Sequence, residues 1–133
     1  MACADGTLIV PRIERMEIDL RLALAMVEAA LRTAADLGIV VSAAVVDGGG
    51  NLLAFQRMDD AEVAGPTLAI DKAYTSVAHR IQTHELGPLV APGGDLVGMN
   101  ANGGGRYVAF AGGVPCWDRR VQLAPRPVSV VAH

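Results

Sequence analysis

Lys72 stands beside Asp71 in the alanine-rich run IDKAYTSVAHR, at the border of an apolar stripe with helical spacing. A lysine in that place either snorkels to water or is held for a partner. If enclosed, it serves as a carboxylate anchor or as a base with a lowered pKa. The competing reading is a solvated Asp71/Lys72 flank. Around it lie other groups with chemistry to offer. Asp71, Thr75 and His79 fall at four-residue spacing on one helical flank, and Lys72, Ser76 and Arg80 on the next. Arg57 shares a strand face with Phe55, and Asp47 opens the turn sequence DGGG. Together these residues outline a cofactor-independent site. Arg57 and Lys72 would hold a small carboxylate, glycine amides would face a developing oxyanion, and His79, His84 or Asp47 would move a proton.

Local spacing gives no metal site. His79 and His84 are five residues apart, on different faces of a helix, and His133 is terminal. A haem ligand needs only one imidazole, so that role stays open to His79 and His84. Cys3 and Cys116 are far apart and belong to no CxxC or His/Cys cluster, which argues against a disulfide scaffold or structural zinc. Phosphate-loop, dinucleotide-binding, zinc-protease and nucleophile-elbow motifs are missing. The triplets GGG at 48–50 and 103–105 read as turns. A net charge of −3 with interspersed signs offers no footprint for nucleic acid or an anionic membrane. No secretory signal or membrane-spanning run is visible, so a cytoplasmic protein is expected.

The elements that must position these groups can be read from periodicity. The 133 residues suit one domain, and 52% hydrophobic content with five aromatic residues implies a core of Ala, Val, Leu and Ile. The surplus of small apolar residues fits a subunit that packs against copies of itself. Residues 7–15 read as a strand interrupted by Pro11. A first helix runs from about 19 to 37, with Leu20, Ala23, Leu24, Val27, Ala30, Leu31, Ala34 and Leu37 on its apolar face and Gly38 as terminator. Strands at 39–46 and 51–58 flank DGGG as a β-hairpin. Alternation places Leu53, Phe55 and Arg57 on one face of the second strand. Pro66 suits the start of a second helix reaching about Gln82, with Leu68, Ala69, Ala73, Val77 and Ile81 as its stripe. Residues 87–105 are expected to form a long ordered loop with a helical turn near THELGPL. RYVAF reads as a strand ending in a Gly-Gly-Val-Pro turn, and VSVV as one more short strand. The class is α/β (α+β), a single domain with an antiparallel sheet flanked by helices.

VSAAVVDGGGNLLAFQRMDDA, followed by AIDKAYTS and then FAGGVP, resembles the GlcG/HbpS-like proteins, also found as the C-terminal part of PduO-type proteins. The resemblance covers roughly residues 17–118. It implies a profilin-like fold, assembly into dimers or larger homo-oligomers, and binding of haem or a related tetrapyrrole. It also marks Asp47, Arg57, Asp59, Lys72, Tyr74 and Thr75 as motif positions, which makes Arg57, Tyr74 and Thr75 cofactor-binding candidates; His79 joins them on its chemistry alone, since no motif places the iron ligand. The C-terminus is atypical, because CWDRRVQLAPRPVSVVAH replaces the family's Gly-rich strand and closing helix. Three functions follow as expectations: a small-ligand-binding protein taking haem, a cofactor-independent isomerase- or lyase-type enzyme, or an assembly subunit without a pocket.

Overall fold

The computed structural model describes residues 18–117 and 128–132. The strand expected over 7–15 lies outside them, as do Cys3, His133, Pro125 and Pro127. The element order is α1 (Leu20–Asp36), β1 (Ser42–Val46), β2 (Leu52–Arg57), α2 (Gly65–His79), α3 (Thr83–Val90), α4 (Met99–Asn102), β3 (Gly113–Cys116) and β4 (Val128–Ala132). The four strands form one sheet in the order β2-β1-β4-β3, with every neighbouring pair antiparallel. The VSVV segment is thus a strand as expected, and an interior one.

All five residues of β1 are buried, because both faces of the strand are covered. Ala43 and Val45 pack with Ala54 against Ala23 and Val27 of α1. Ala44 and Val46 pack against Ala69, Ala73 and Val77 of α2. The period-two alternation of the strand therefore assigns one helix to each face of the sheet. Small side chains at these positions bring the helices close. At Gly65 an added Cβ would lie 2.9 Å from Ser42 Oγ.

The helix ends obey local chemistry. Asp19 caps α1 by accepting a hydrogen bond from Leu22 N at 2.7 Å. Gly38 follows its C-terminus at φ 70°, as a left-handed terminator should. Glu28 and Arg32 pair at 3.8 Å on the wet side, both 69% exposed. Pro66 sits in the first turn of α2.

Several expectations need correction. Of the apolar stripe on α1, only Ala23, Val27 and Ala34 are buried, whereas Leu20, Leu24 and Leu37 are exposed. The face that meets the sheet is narrower than the hydrophobic stripe. β1 starts at Ser42, with Ile39 and Val40 half exposed in the approach. Leu53 does not share a side with Phe55. Val45 pairs with Ala54 and Val46 with Leu52, so Leu53 is the extra residue of a β-bulge and turns toward α1. α2 stops at His79 because Arg80 adopts a left-handed conformation, φ 56°. The helical turn expected near THELGPL is α3, two turns long, and the short α4 interrupts the segment expected to be loop. Finally, residues 106–110 are not a strand. The ladder begins at Gly113, so the sequence read as a Gly-Gly-Val-Pro turn is itself β3. Its partner β4 supplies the pairing that overrides the turn propensity of Gly and Pro. Among the described residues no helix is long and apolar enough to cross a membrane.

Candidate functional site

α2 carries the chemistry, and its three flanks do different things. The flank toward the sheet is core. The flank toward β3 bears Lys72, which is 0% exposed. Its Nζ lies 4.4 Å from the centroid of the Phe110 ring and has no hydrogen-bond partner. Gly112 backs the amine so closely that an added Cβ would come within 3.1 Å of Nζ. Burial lowers the Lys72 pKa from 10.5 to about 8, and the negative charge of Glu62 opposes that shift. The enclosed reading of Lys72 describes its surroundings, and the solvated-flank reading does not.

The third flank builds an aromatic and cationic cluster with the segment after α4. Asp71 accepts a hydrogen bond from Arg106 Nε at 3.2 Å. The Arg106 guanidinium lies 3.7 Å above the centre of the Tyr74 ring. Tyr107 runs nearly parallel to Tyr74, with centroids 6.4 Å apart and planes at 11°. His79 meets the Tyr107 ring edge-on at 4.5 Å. His79 Nδ1 sits 3.1 Å from the Thr75 carbonyl. A carbonyl oxygen only accepts, so Nδ1 is the donor, and the neutral tautomer with this bond has its lone pair on Nε2.

Thr75 holds this arrangement together. Its hydroxyl donates to Asp71 O at 2.7 Å and accepts from Val108 N at 3.0 Å. That buried contact fastens the segment carrying Arg106 and Tyr107 onto α2. Thr83 does the same for β3, accepting from Gly113 N at 2.8 Å. Gly103 is required where it stands, because a Cβ there would run into the Tyr107 ring.

Beside the cluster lies a cleft of about 420 Å³, lined by Gly48, Gly49, Gly50, Tyr74, Val77, Ala78 and Arg80. It sits between the β1–β2 hairpin tip and the C-terminal half of α2. Asp47 shapes the tip. Its Oδ1 accepts from Gly49 N at 2.9 Å, Asn51 N at 2.9 Å and Asn51 Nδ2 at 3.1 Å. The tip then rests on the tyrosine, since a Cβ at Gly50 would be 2.9 Å from two Tyr74 ring carbons.

The sequence-predicted candidates therefore separate into groups. Tyr74, Thr75 and His79 belong to the cluster, and Asp47 organises the cleft's far wall. Lys72 faces β3. Arg57 donates through Nη2 to the Ala61 carbonyl. His84 is exposed on the first turn of α3. Arg106, Tyr107, Thr83 and Phe110 escaped the sequence reading, whereas Arg80 was placed on the Lys72 flank and lines the cleft instead. The pairing of Arg106 with Asp71 spans 35 residues, which no local pattern encodes. Among the described residues, no group of three or more His, Cys, Asp or Glu is placed to hold a metal ion.

Comparison with known proteins adds a second line of observation. The family model described as "Haem degrading protein HbpS-like" matches residues 18–125. An uncharacterized 15.0 kDa protein from the dhaT-dhaS intergenic region of Citrobacter freundii is 41% identical over 98 residues, 74% of this chain and 69% of that protein. The corrinoid adenosyltransferase PduO of Citrobacter freundii is 37% identical over 104 residues, 78% of this chain. The match spans only 31% of that longer relative. Among solved structures, a PduOC:heme complex superposes with a TM-score of 0.79 at 29% identity, covering 87% of this chain and 81% of that one.

Proposed function

This chain belongs to the HbpS-like family, and from that premise we propose that it binds haem or a related tetrapyrrole at the α2 cluster. The single observation that carries the reading is the likeness to a solved haem complex across 87% of the chain.

The residues present fit such a group. Haem asks for a neutral imidazole, flat apolar surface and cations for its carboxylates. His79 donates through Nδ1 to the Thr75 carbonyl, which leaves Nε2 as the nitrogen that would face an iron. Tyr74 and Tyr107 supply aromatic surface, Arg80 supplies positive charge at the cleft, and Arg106 adds a second guanidinium that is already paired with Asp71 and stacked on Tyr74. A cleft of about 420 Å³ lies within the range usual for small-molecule sites. When bound, haem contributes an iron centre able to change oxidation state. The chain's own part is to present the imidazole, to cover the ring and to neutralise its carboxylates. A cytoplasmic homo-oligomer belongs to the same proposal. The exposed Leu20, Leu24, Leu37 and Ile39 provide apolar surface that self-association would cover.

Titration with haemin tests the reading. Saturable binding with a Soret band typical of a nitrogen-ligated haem is expected. Unsaturable, detergent-like uptake that does not change the Soret band would defeat it.

A further inference from the structure

Lys72 is the only lysine in the chain; the other ten of its 11 basic residues are arginines. A guanidinium stays protonated in a protein, whereas an amine can release its proton and act as a nucleophile. The one position given a side-chain amine is also, among the described residues, the one basic side chain that is fully buried. Lys72 heads the fully buried side chains by volume, and its Nζ has no hydrogen-bond partner. An ammonium needs acceptors far more than a neutral amine does.

Its enclosure has a construction. Phe110 lies 4.4 Å from the amine and is itself 51% exposed, so one side of the enclosure is a ring in contact with solvent. Behind the amine stands Gly112, where any side chain would press on Cδ and Nζ at 3.1 Å. Glu62 is the charged group whose field reaches the site from the segment before α2. The haem reading uses none of these residues.

We propose that Lys72 Nζ captures small carbonyl compounds, aldehydes or α-keto acids, as an imine beneath Phe110. The neutral amine attacks the carbonyl carbon with its lone pair, and the carbon–oxygen π pair moves to oxygen. That oxygen takes up a proton as the nitrogen loses one, giving a carbinolamine. Loss of the hydroxyl as water, with the second nitrogen proton, forms the carbon–nitrogen double bond. Nothing is oxidised or reduced, and one water leaves for each imine formed. A pKa of about 8 in place of 10.5 leaves roughly 300-fold more neutral amine at pH 7, and exclusion of water slows hydrolysis back to the carbonyl.

The test uses the intact native protein with glyoxylate or acetaldehyde and cyanoborohydride, which reduces an imine to a stable secondary amine. Peptide mapping by mass spectrometry then assigns the adduct, with the chain's α-amine as internal reference. The expected result is saturable labelling of Lys72 at pH 7, at least tenfold faster than for Lys72 in the urea-unfolded chain. Its rate should rise to half its maximum near pH 8, and Phe110→Ala should speed it several-fold. Labelling of the α-amine with Lys72 untouched overturns the proposal. So does Lys72 labelling that is unsaturable or no faster than in the unfolded chain. Haemin binding is read separately, so loss of either inference leaves the other standing.

Discussion

Replacing Lys72 with methionine removes a buried charge while keeping an unbranched side chain, so comparing the two proteins isolates one titration. Burial lowers this amine from 10.5 to about 8, with Glu62 opposing. The gap between those values corresponds to roughly 3 kcal/mol. Contact with the half-exposed Phe110 ring returns about 0.5–1 kcal/mol, so desolvation dominates. The sign follows from proton counting. Between about pH 8 and 10.5 the unfolded chain still holds a proton that the folded chain has released. Wild-type stability therefore rises with pH across that window. Below it both states are protonated and the penalty is constant; above it both are neutral and the penalty is gone. Lys72→Met should thus be more stable than wild type at neutral pH, by up to roughly 3 kcal/mol. Its advantage should shrink by about 1.4 kcal/mol per pH unit through the window. Urea unfolding of both proteins at a series of pH values measures this, and all other titrating groups cancel in the difference. A difference that stays flat, or grows with pH, would refute the reasoning.

Three further substitutions probe the scaffold of the site. Thr75→Val leaves the buried Val108 N–H without its acceptor and should cost about 1–3 kcal/mol in thermal or urea unfolding, with Thr75→Ser restoring most of it. Asp47→Ala removes the acceptor for Gly49 and Asn51 at an exposed turn and should cost about 1 kcal/mol, while Asp47→Asn should recover part. Gly50→Ala places a Cβ at φ 82°, 2.9 Å from the Tyr74 ring. It should cost about 1–2 kcal/mol and weaken haemin binding by displacing that ring, as read by titration.

Much of the frame was legible because it rests on local signals. Asp19, Gly38 and Pro66 mark helix ends, DGGG marks the hairpin, and the period of VSAAVV marks a strand. VSVV was recognised, but its place between β1 and β3 depends on pairing with distant residues. GGVP misled for the same reason, since β4 turns an apparent bend into a ladder. The stripe on α1 promised more burial than one sheet face can provide. At the site, α2 spacing correctly grouped Thr75 and His79, and the border position of Lys72 hinted at its enclosure. The partners Arg106, Tyr107 and Phe110 arrive from a segment more than 30 residues away in sequence, through Thr75 and its bond to Val108. Such contacts leave no periodicity to read.

The placement of the haem site is tested most directly by haemin titration of His79→Ala beside His84→Ala, following both affinity and the Soret spectrum. Loss of the nitrogen-ligated spectrum with at least a tenfold weaker affinity in His79→Ala, and wild-type behaviour in His84→Ala, is the predicted result. Wild-type binding by His79→Ala, or loss in His84→Ala alone, would contradict it.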